Sequence, residues 1–247
     1  MINVHINLPS ETVFHIGSFA VTNSILAGTL ITVILAVTLI AIARRTVVKP
    51  GKGLGFIVET IVEAIIEQMT TVFESRQLAL KFFPLIATFF FFILVNNWLG
   101  LIPGFSHIMI GTPDGDVPLL RRTTSDLNTT IALALISFFF TMAVGYRQLG
   151  VGGTLKRYFH GGPMMWGVGV MEMILEFTRI LSFSFRLFGN IFAGEVLLIV
   201  ISALVPVLGP TPFLGFEIFV GAVQAFVFSI LTLVFIKLAI TPVTEEH

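Results

Sequence analysis

Long apolar runs separated by short polar segments make up most of the chain. Residues 12–43 contain no Asp, Glu, Lys or Arg, and neither do residues 82–113. A bilayer crossing needs about 20 apolar residues in a helix, so these two runs predict transmembrane helices at residues 20–43 and 82–103. A further run predicts a third crossing at residues 126–146.

The last third of the chain contains two runs that are longer than one crossing requires. They cover residues 164–205 and 212–241, and Pro206 to Pro210 separate them. At 1.5 Å per residue the first would form a helix about 63 Å long, roughly twice the hydrocarbon thickness. It is therefore either two crossings or one strongly oblique helix. Together the two runs predict a long, tilted helical hairpin.

Residues 54–76 have a different pattern and do not predict a crossing. Glu59, Glu63, Glu67 and Glu74 fall within about 80° of one another on a helical wheel. Apolar residues cover much of the remaining circumference. This pattern predicts an amphipathic helix on the cytoplasmic membrane surface. Its carboxylates form either a solvated face or a docking face for a partner.

The expected fold is thus an all-α polytopic membrane protein, a single membrane domain with five crossings and one surface helix. Lys and Arg set its orientation, because they concentrate on the cytoplasmic side. With the N-terminus outside and the C-terminus in the cytoplasm, only Arg121 and Arg122 fall outside. The residues that fall inside are Arg44, Arg45, Lys49, Lys52, Arg76, Lys81, Arg147, Lys156, Arg157 and Lys237.

Composition narrows the class of protein further. Hydrophobic residues make up 55% of the 247 residues and charged residues only 11%, against roughly 25% charged in soluble domains. This excludes a soluble enzyme, a disordered chain and a nucleic-acid-binding protein. There is no cysteine, and the five histidines have no metal-ligand spacing. We therefore expect neither a metal nor a cofactor.

Several polar residues lie where the hydrocarbon core should be. On a helical wheel centred on Arg186, the side chains of Ser182, Asn190, Arg179 and Glu172 share one stripe about 80° wide. Ionisable groups inside a membrane are costly and usually functional. Glu172 and Arg179 have a structural alternative, a salt bridge that joins two helices. Arg186 has no acidic residue three or four positions away, so its counter-charge must come from elsewhere in the chain or from another subunit.

The predicted hairpin brings further polar residues together. Glu195 and Glu217 are about equally far from the turn, so they can approach each other near the outer side. Arg186 and Gln224 are level with each other at greater depth. Two neighbouring carboxyl groups tend to share one proton, because ionising both is unfavourable. The pair is therefore either a proton relay or two acids that only line a hydrated crevice.

Four motifs carry a resemblance to a known family. The run from Arg186 to Glu195 resembles the signature of subunit a of F-type ATP synthases, the membrane stator that faces the rotating ring of c subunits. Three weaker matches to that family stand in the same order along the chain, namely Asn97 to Pro103, Asp126 to Thr130, and Gly221 to Phe228.

The resemblance implies a mechanism and a set of partners. Protons would enter by an outer half-channel, neutralise a carboxyl group of the c ring, and leave by a cytoplasmic half-channel after the ring turns. Arg186 matches the essential arginine that separates the two half-channels. The implied partners are the c ring, b-type peripheral stalk subunits and the rest of the FO–F1 complex. The implied path residues are Glu195, Glu217, Asp126 and Asn128 on the outer side, Asn190 and Gln224 beside the arginine, and Ser182, Glu172 and Arg179 on the cytoplasmic side.

Two positions depart from the family pattern. Many relatives have a histidine in place of Glu195 or Glu217, whereas both are glutamate here, and many have proline where this chain has Ile180. The charge state of the glutamate pair and the coupled ion, proton or sodium, are left open.

Two other classes of membrane protein are alternatives to a subunit of a rotary ATP synthase. A free-standing ion-coupled transporter would be expected to carry inverted repeats, and a structural anchor would leave Arg186 unexplained. The chain lacks a G-x-x-x-x-G-K-[ST] phosphate loop, so we expect no catalytic nucleotide site. The start at Met1 without a presequence favours a bacterial inner membrane over an organelle inner membrane.

Overall fold

A computed structural model describes residues 10–45, 54–102, 109–112, 115–158, 166–206 and 208–241. Within these residues the fold consists of six α-helices, four short strands and one 3-10 helix, Thr123–Ser125. The α-helices are α1 (Asn23–Arg45), α2 (Leu54–Phe73), α3 (Arg76–Leu99), α4 (Leu127–Tyr158), α5 (Trp166–Leu204) and α6 (Pro210–Ile240).

Five of these helices are long and apolar enough to cross a membrane, and α2 is not among them. The predicted all-α polytopic architecture is confirmed. The fourth candidate crossing, α5, is one continuous helix of 39 residues and not two separate helices. Residue 164, where this crossing was expected to begin, and Val207 in the predicted turn lie outside the described residues.

The third helix, α3, begins at Arg76, before the expected boundary at residue 82. Ser75 caps it: the backbone is extended there, and its hydroxyl oxygen accepts a hydrogen bond from the Leu78 amide at 3.4 Å. Such a cap satisfies a backbone donor that the helix itself leaves free. The expected crossing began after the charged residues that precede the apolar run. The helix itself begins earlier, because Ser75 caps it.

The fourth helix, α4, extends beyond the predicted residue 146 to Tyr158. Its start is fixed by Asp126, whose carboxylate accepts a hydrogen bond from the Asn128 amide at 3.0 Å. Near its far end the helix is interrupted at Gly150, where φ is +70°. Glycine adopts this left-handed conformation without the steric cost that a Cβ would bring.

Two small antiparallel hairpins were missed by the sequence analysis. The first pairs β1 (Thr12–Ile16) with β2 (Phe19–Thr22), and the second pairs β3 (Met109–Thr112) with β4 (Gly115–Pro118). Gly17, with φ of +63°, forms part of the first turn, and primed hairpin turns need such residues. Strands of four or five residues are too short for alternation to stand out against the apolar runs around them.

The surface helix α2 lays its apolar side against α3 and α6. Met69 and Phe73 pack there with Phe82 of α3 and with Leu233 and Ile236 of α6. Its carboxylates point away from this contact and are exposed, as the amphipathic pattern predicts; they include Glu59, Glu63 and Glu67.

The main core lies where α3, α4, α5 and α6 meet. Phe89, Phe183 and Phe228 pack edge to face or at a tilt in this core, with ring centroids 5.1 to 5.3 Å apart. The opposite side of α5 has no cover within the described residues. Its exposed apolar side chains include Met171, Ile174, Phe177, Leu181 and Phe185.

Candidate functional site

Arg186 lies near the middle of α5, on the side that is exposed in this chain. Its Nη2 donates a hydrogen bond to the Ser182 hydroxyl one turn earlier, at 3.0 Å. Asn190, one turn later, is exposed on the same stripe. The spacing of four residues puts these side chains above one another on a helix, so the predicted polar stripe is a continuous strip of surface.

Gln224 of α6 is brought to the same place as Arg186. Both side chains line one narrow cleft between α5 and α6, together with Phe183, Leu187 and Leu231. The cleft is otherwise apolar. The two helices therefore place an amide and a guanidinium in one cleft, in surroundings that stabilise charge poorly.

No carboxylate pairs with Arg186 within the part of the chain that the structure describes; the hydroxyl of Ser182 is its hydrogen-bond partner there. Arginine keeps its proton in proteins, so this charge is permanent. The sequence analysis required a counter-charge from elsewhere in the chain or from another subunit. The described residues offer none at salt-bridge distance.

A second charged group lies at the start of α6. Glu217 is 5% exposed, and its Oε2 accepts a hydrogen bond from Nη1 of Arg122 at 2.9 Å. Arg122 is itself 4% exposed. Glu195 of α5 directly follows Gly194, which lies against the Glu217 carboxylate. Its Oε2 is buried and has no hydrogen-bond partner within the described residues.

Two glycines make room for this group. A Cβ atom at Gly194 would overlap the carboxylate of Glu217. A Cβ atom at Gly100 would overlap the side chain of Arg122, whose Cγ is 2.8 Å from that position. Both positions therefore require the close approach that only glycine permits.

The 3-10 helix fixes the backbone of Arg122. The Arg122 carbonyl accepts hydrogen bonds from the Ser125 amide at 3.2 Å and from the Ser125 hydroxyl at 2.8 Å. The neighbouring Thr124 hydroxyl donates to Oδ1 of Asn97 at 2.7 Å, and Nδ2 of Asn97 donates to the Gly221 carbonyl at 2.9 Å. This chain of hydrogen bonds ties the 3-10 helix to α3 and α6.

Sequence reasoning missed Arg122, which it used only to set the orientation. A signal was present: in a chain with few charges, two arginines stand directly before the Thr-Thr-Ser-Asp run that precedes a membrane span. Both arginines are buried. Buried charges are normally paired, but the partner of Arg122 is 95 positions away in the sequence.

The remaining predicted residues have other surroundings. Asp126 is buried and caps α4, while Asn128 is exposed. The guanidinium carbon of Arg179 lies 3.5 Å from the ring centroid of Phe235, a cation–π contact. Glu172 is half-buried. Glu176, one turn beyond it, is buried and was not among the predicted site residues.

The described residues contain no group of three or more histidines or carboxylates close enough together to hold a metal ion. His15 is exposed. The other four histidines, His5, His107, His160 and His247, lie outside the described residues.

The fold and these charged groups define a polytopic α-helical membrane protein with ionisable side chains inside its spans. Comparison with known proteins is more specific. Residues 25–237 match the family described as the ATP synthase A chain.

Curated relatives cover most of this chain and most of their own lengths. Subunit a of ATP synthase from Gloeobacter violaceus is 34% identical over 95% of this chain and 90% of that protein. The subunit a 2 from a Bradyrhizobium species is 33% identical over 96% and 97%. Subunit a from Desulfotalea psychrophila is 40% identical over 80% and 74%. The chain belongs to the ATP synthase A chain family.

Proposed function

We propose that this chain is the proton-conducting stator subunit of a rotary ATP synthase, and that Arg186 faces the carboxyl groups of the c ring. A proton enters from the outer side, neutralises a ring carboxylate, and leaves towards the cytoplasm after the ring has turned. Membership of the ATP synthase A chain family supports this function over a free-standing transporter or a structural anchor.

One observation carries the proposal: Arg186 is a permanent charge on an exposed strip of a membrane helix, without a carboxylate partner in the described chain. Such a charge costs about 2.5–3.5 kcal/mol on insertion scales when it has no partner. A carboxylate on a neighbouring subunit offsets this cost. Because a fixed positive charge favours the ionised partner, a ring carboxyl that passes Arg186 loses its proton.

The two half-channels are assigned to residues on opposite sides of Arg186. Asn190 and Gln224 are the polar residues that flank the arginine. The driving free energy is about 2.3 kcal/mol per proton for each 100 mV across the membrane. The outer path is lined by Glu195, Glu217, Asp126 and Asn128, and the cytoplasmic path by Ser182, Glu172 and Arg179.

The partners follow from the surfaces that this chain leaves open. The uncovered apolar side of α5 is continuous with the strip around Arg186, so we assign it to the c ring. The b-type peripheral stalk subunits and the rest of the FO–F1 complex hold the chain against the turning ring. Lipid covers the other apolar surfaces.

We place the chain in the inner membrane of a bacterium, with the N-terminus outside and the C-terminus in the cytoplasm. The bias of Lys and Arg and the bacterial relatives support this. The chain has no cysteine, so single cysteines report sidedness directly. A membrane-impermeant maleimide added outside should label Thr12→Cys and not Thr241→Cys; the reverse result would contradict the orientation.

The decisive experiment compares Arg186→Ala with Arg147→Ala, which removes an exposed arginine near the end of α4. Each variant is assembled into the complex, and ATP-driven acidification is followed in inverted membrane vesicles. Arg186→Ala should abolish acidification without loss of assembly, whereas Arg147→Ala should pump normally. Pumping near the wild-type level in an assembled Arg186→Ala complex would show that Arg186 is a packing charge.

A further inference from the structure

The ion pair between Arg122 and Glu217 is a buried unit. Nη1 of Arg122 and Oε2 of Glu217 are 2.9 Å apart, and both side chains are almost fully buried. Asp126, the acidic residue nearest to Arg122 in sequence, uses its carboxylate to cap α4. Since arginine does not release its proton in proteins, a neutral Glu217 would leave a buried guanidinium without a counter-charge.

Glu195 lies beside this pair and does not share the guanidinium hydrogen bond. Gly194, directly before it in α5, packs against the Glu217 carboxylate, so the two glutamates belong to one group. Oε2 of Glu195 is buried without a hydrogen-bond donor in the described part of the chain. A buried carboxylate oxygen with no donor is costly when ionised and much less so when the group is neutral.

Charge counting distinguishes the two glutamates. The group of Arg122, Glu217 and Glu195 has a net charge of zero when one carboxyl group holds a proton, and the guanidinium selects Glu217 as the ionised one. We propose that Arg122 is a positioning residue that keeps Glu217 as a permanent carboxylate, so that Glu195 alone carries the proton here. This inference rests on the proposed function. Glu195 takes one proton from the outer side and passes it towards a ring carboxylate, while Glu217 neither gains nor loses one.

The proposal makes opposite predictions for single and double variants. In Arg122→Gln the two carboxyl groups face each other without a cation, and the group binds its proton too tightly. In Glu217→Gln the guanidinium pairs with Glu195 instead and prevents it from accepting a proton. In the double variant Arg122→Gln/Glu217→Gln, the group has the same net charge as the wild type in both states of Glu195.

The test measures passive proton conduction through the membrane sector after F1 has been removed from inverted vesicles. Each single variant should lower conduction about tenfold, which corresponds to one unit of proton affinity. The double variant should return to the wild-type level, and Arg122→Lys, which keeps the charge, should lose less than Arg122→Gln. Adding Glu195→Gln to the double variant should abolish conduction. Arg147→Gln serves as the control for removal of an arginine from α4.

Assembly of each complex is checked by copurification of the c ring. If the amide double variant does not assemble, Arg122→Met/Glu217→Leu repeats the test, because apolar replacement of a buried ion pair is often neutral for stability. Conduction in the double variants no higher than in the worse single variant would overturn the proposal, since Glu217 would then carry protons itself. Failure of all variants to assemble would also overturn it, because the pair would then serve folding.

The Arg122 variants and the Arg186 variant test different claims, so their results can be told apart. If Arg186→Ala abolishes pumping while the double variant stays inactive, the stator function stands and only the assignment of the proton to Glu195 fails. If Arg186→Ala pumps normally, the stator mechanism itself fails whatever the double variant does.

Discussion

Asn97 of α3 and Gly221 of α6 are in direct contact: Nδ2 of Asn97 donates a hydrogen bond to the Gly221 carbonyl at 2.9 Å. A backbone carbonyl inside a helix is normally used by the amide four residues later, so this bond is an additional contact between helices. Oδ1 of the same asparagine accepts from Thr124. One side chain therefore links α3, α6 and the segment that carries Arg122.

Gly221 allows this contact because it has no side chain. A Cβ atom at position 221 would lie 3.0 Å from Cβ of Asn97, closer than carbon atoms normally pack. We expect Gly221→Val to push α6 away from α3, at a cost of about 1–3 kcal/mol in folding free energy. Thermal unfolding of the purified complex in detergent would measure it. Gly215→Val is the control, because Gly215 has open space around its Cβ position; equal loss in both variants would contradict the packing argument.

Gly194 is expected to be required for function more than for stability. Alanine is a better helix former than glycine, so Gly194→Ala should leave α5 intact and the complex assembled. Its Cβ would overlap the Glu217 carboxylate and displace it from its present position beside Arg122. Proton conduction should fall about tenfold, the same size of effect as a displacement of one unit in proton affinity.

The matched change for Gly194 is Gly167→Ala, on the same helix and with nothing near its Cβ position. It should conduct protons like the wild type. If Gly194→Ala conducts equally well, the carboxylate of Glu217 does not need the position that it has in this structure.

The sequence predicts the features of this protein that depend on neighbouring residues along one helix. The five crossings follow from uninterrupted apolar runs, and the strip of Ser182, Arg186 and Asn190 follows from a spacing of four residues. Both are consequences of helical periodicity. Gln224 could be matched to Arg186 because a hairpin fixes which residues of two antiparallel helices are level.

The ion pair of Arg122 with Glu217 could not be predicted in this way. Arg122 directly precedes the 3-10 helix and Glu217 lies in α6, and no hairpin connects them. Their contact depends on how α3, α4 and α6 pack together, and on two glycines whose lack of a side chain becomes meaningful only in three dimensions. Helix ends were also misplaced, since the cap at Ser75 is decided by one hydroxyl group and not by hydropathy.

A surface salt bridge gives a prediction about pH. Nζ of Lys237 donates a hydrogen bond to Oε1 of Glu74 at 2.7 Å, between the end of α6 and the turn after α2. This hydrogen bond and the charge of Lys237 lower the pKa of Glu74 below its usual value of 4.5. A carboxyl group with a lowered pKa stabilises the folded state above its unfolded pKa and loses that effect as the pH falls through the folded value.

We therefore expect the wild type to be slightly more stable than Glu74→Gln at neutral pH, because Glu74 is exposed and exposed pairs contribute little. The difference should be constant above pH 4.5 and should close as the pH falls below that value. High salt should reduce it, since exposed charges are screened. The measurement is the unfolding temperature of both proteins in detergent as a function of pH, with Glu67→Gln, an exposed carboxylate of α2, as the control. A difference that grows on acidification, or one of equal size in Glu67→Gln, would show that the bond to Lys237 does not stabilise the fold.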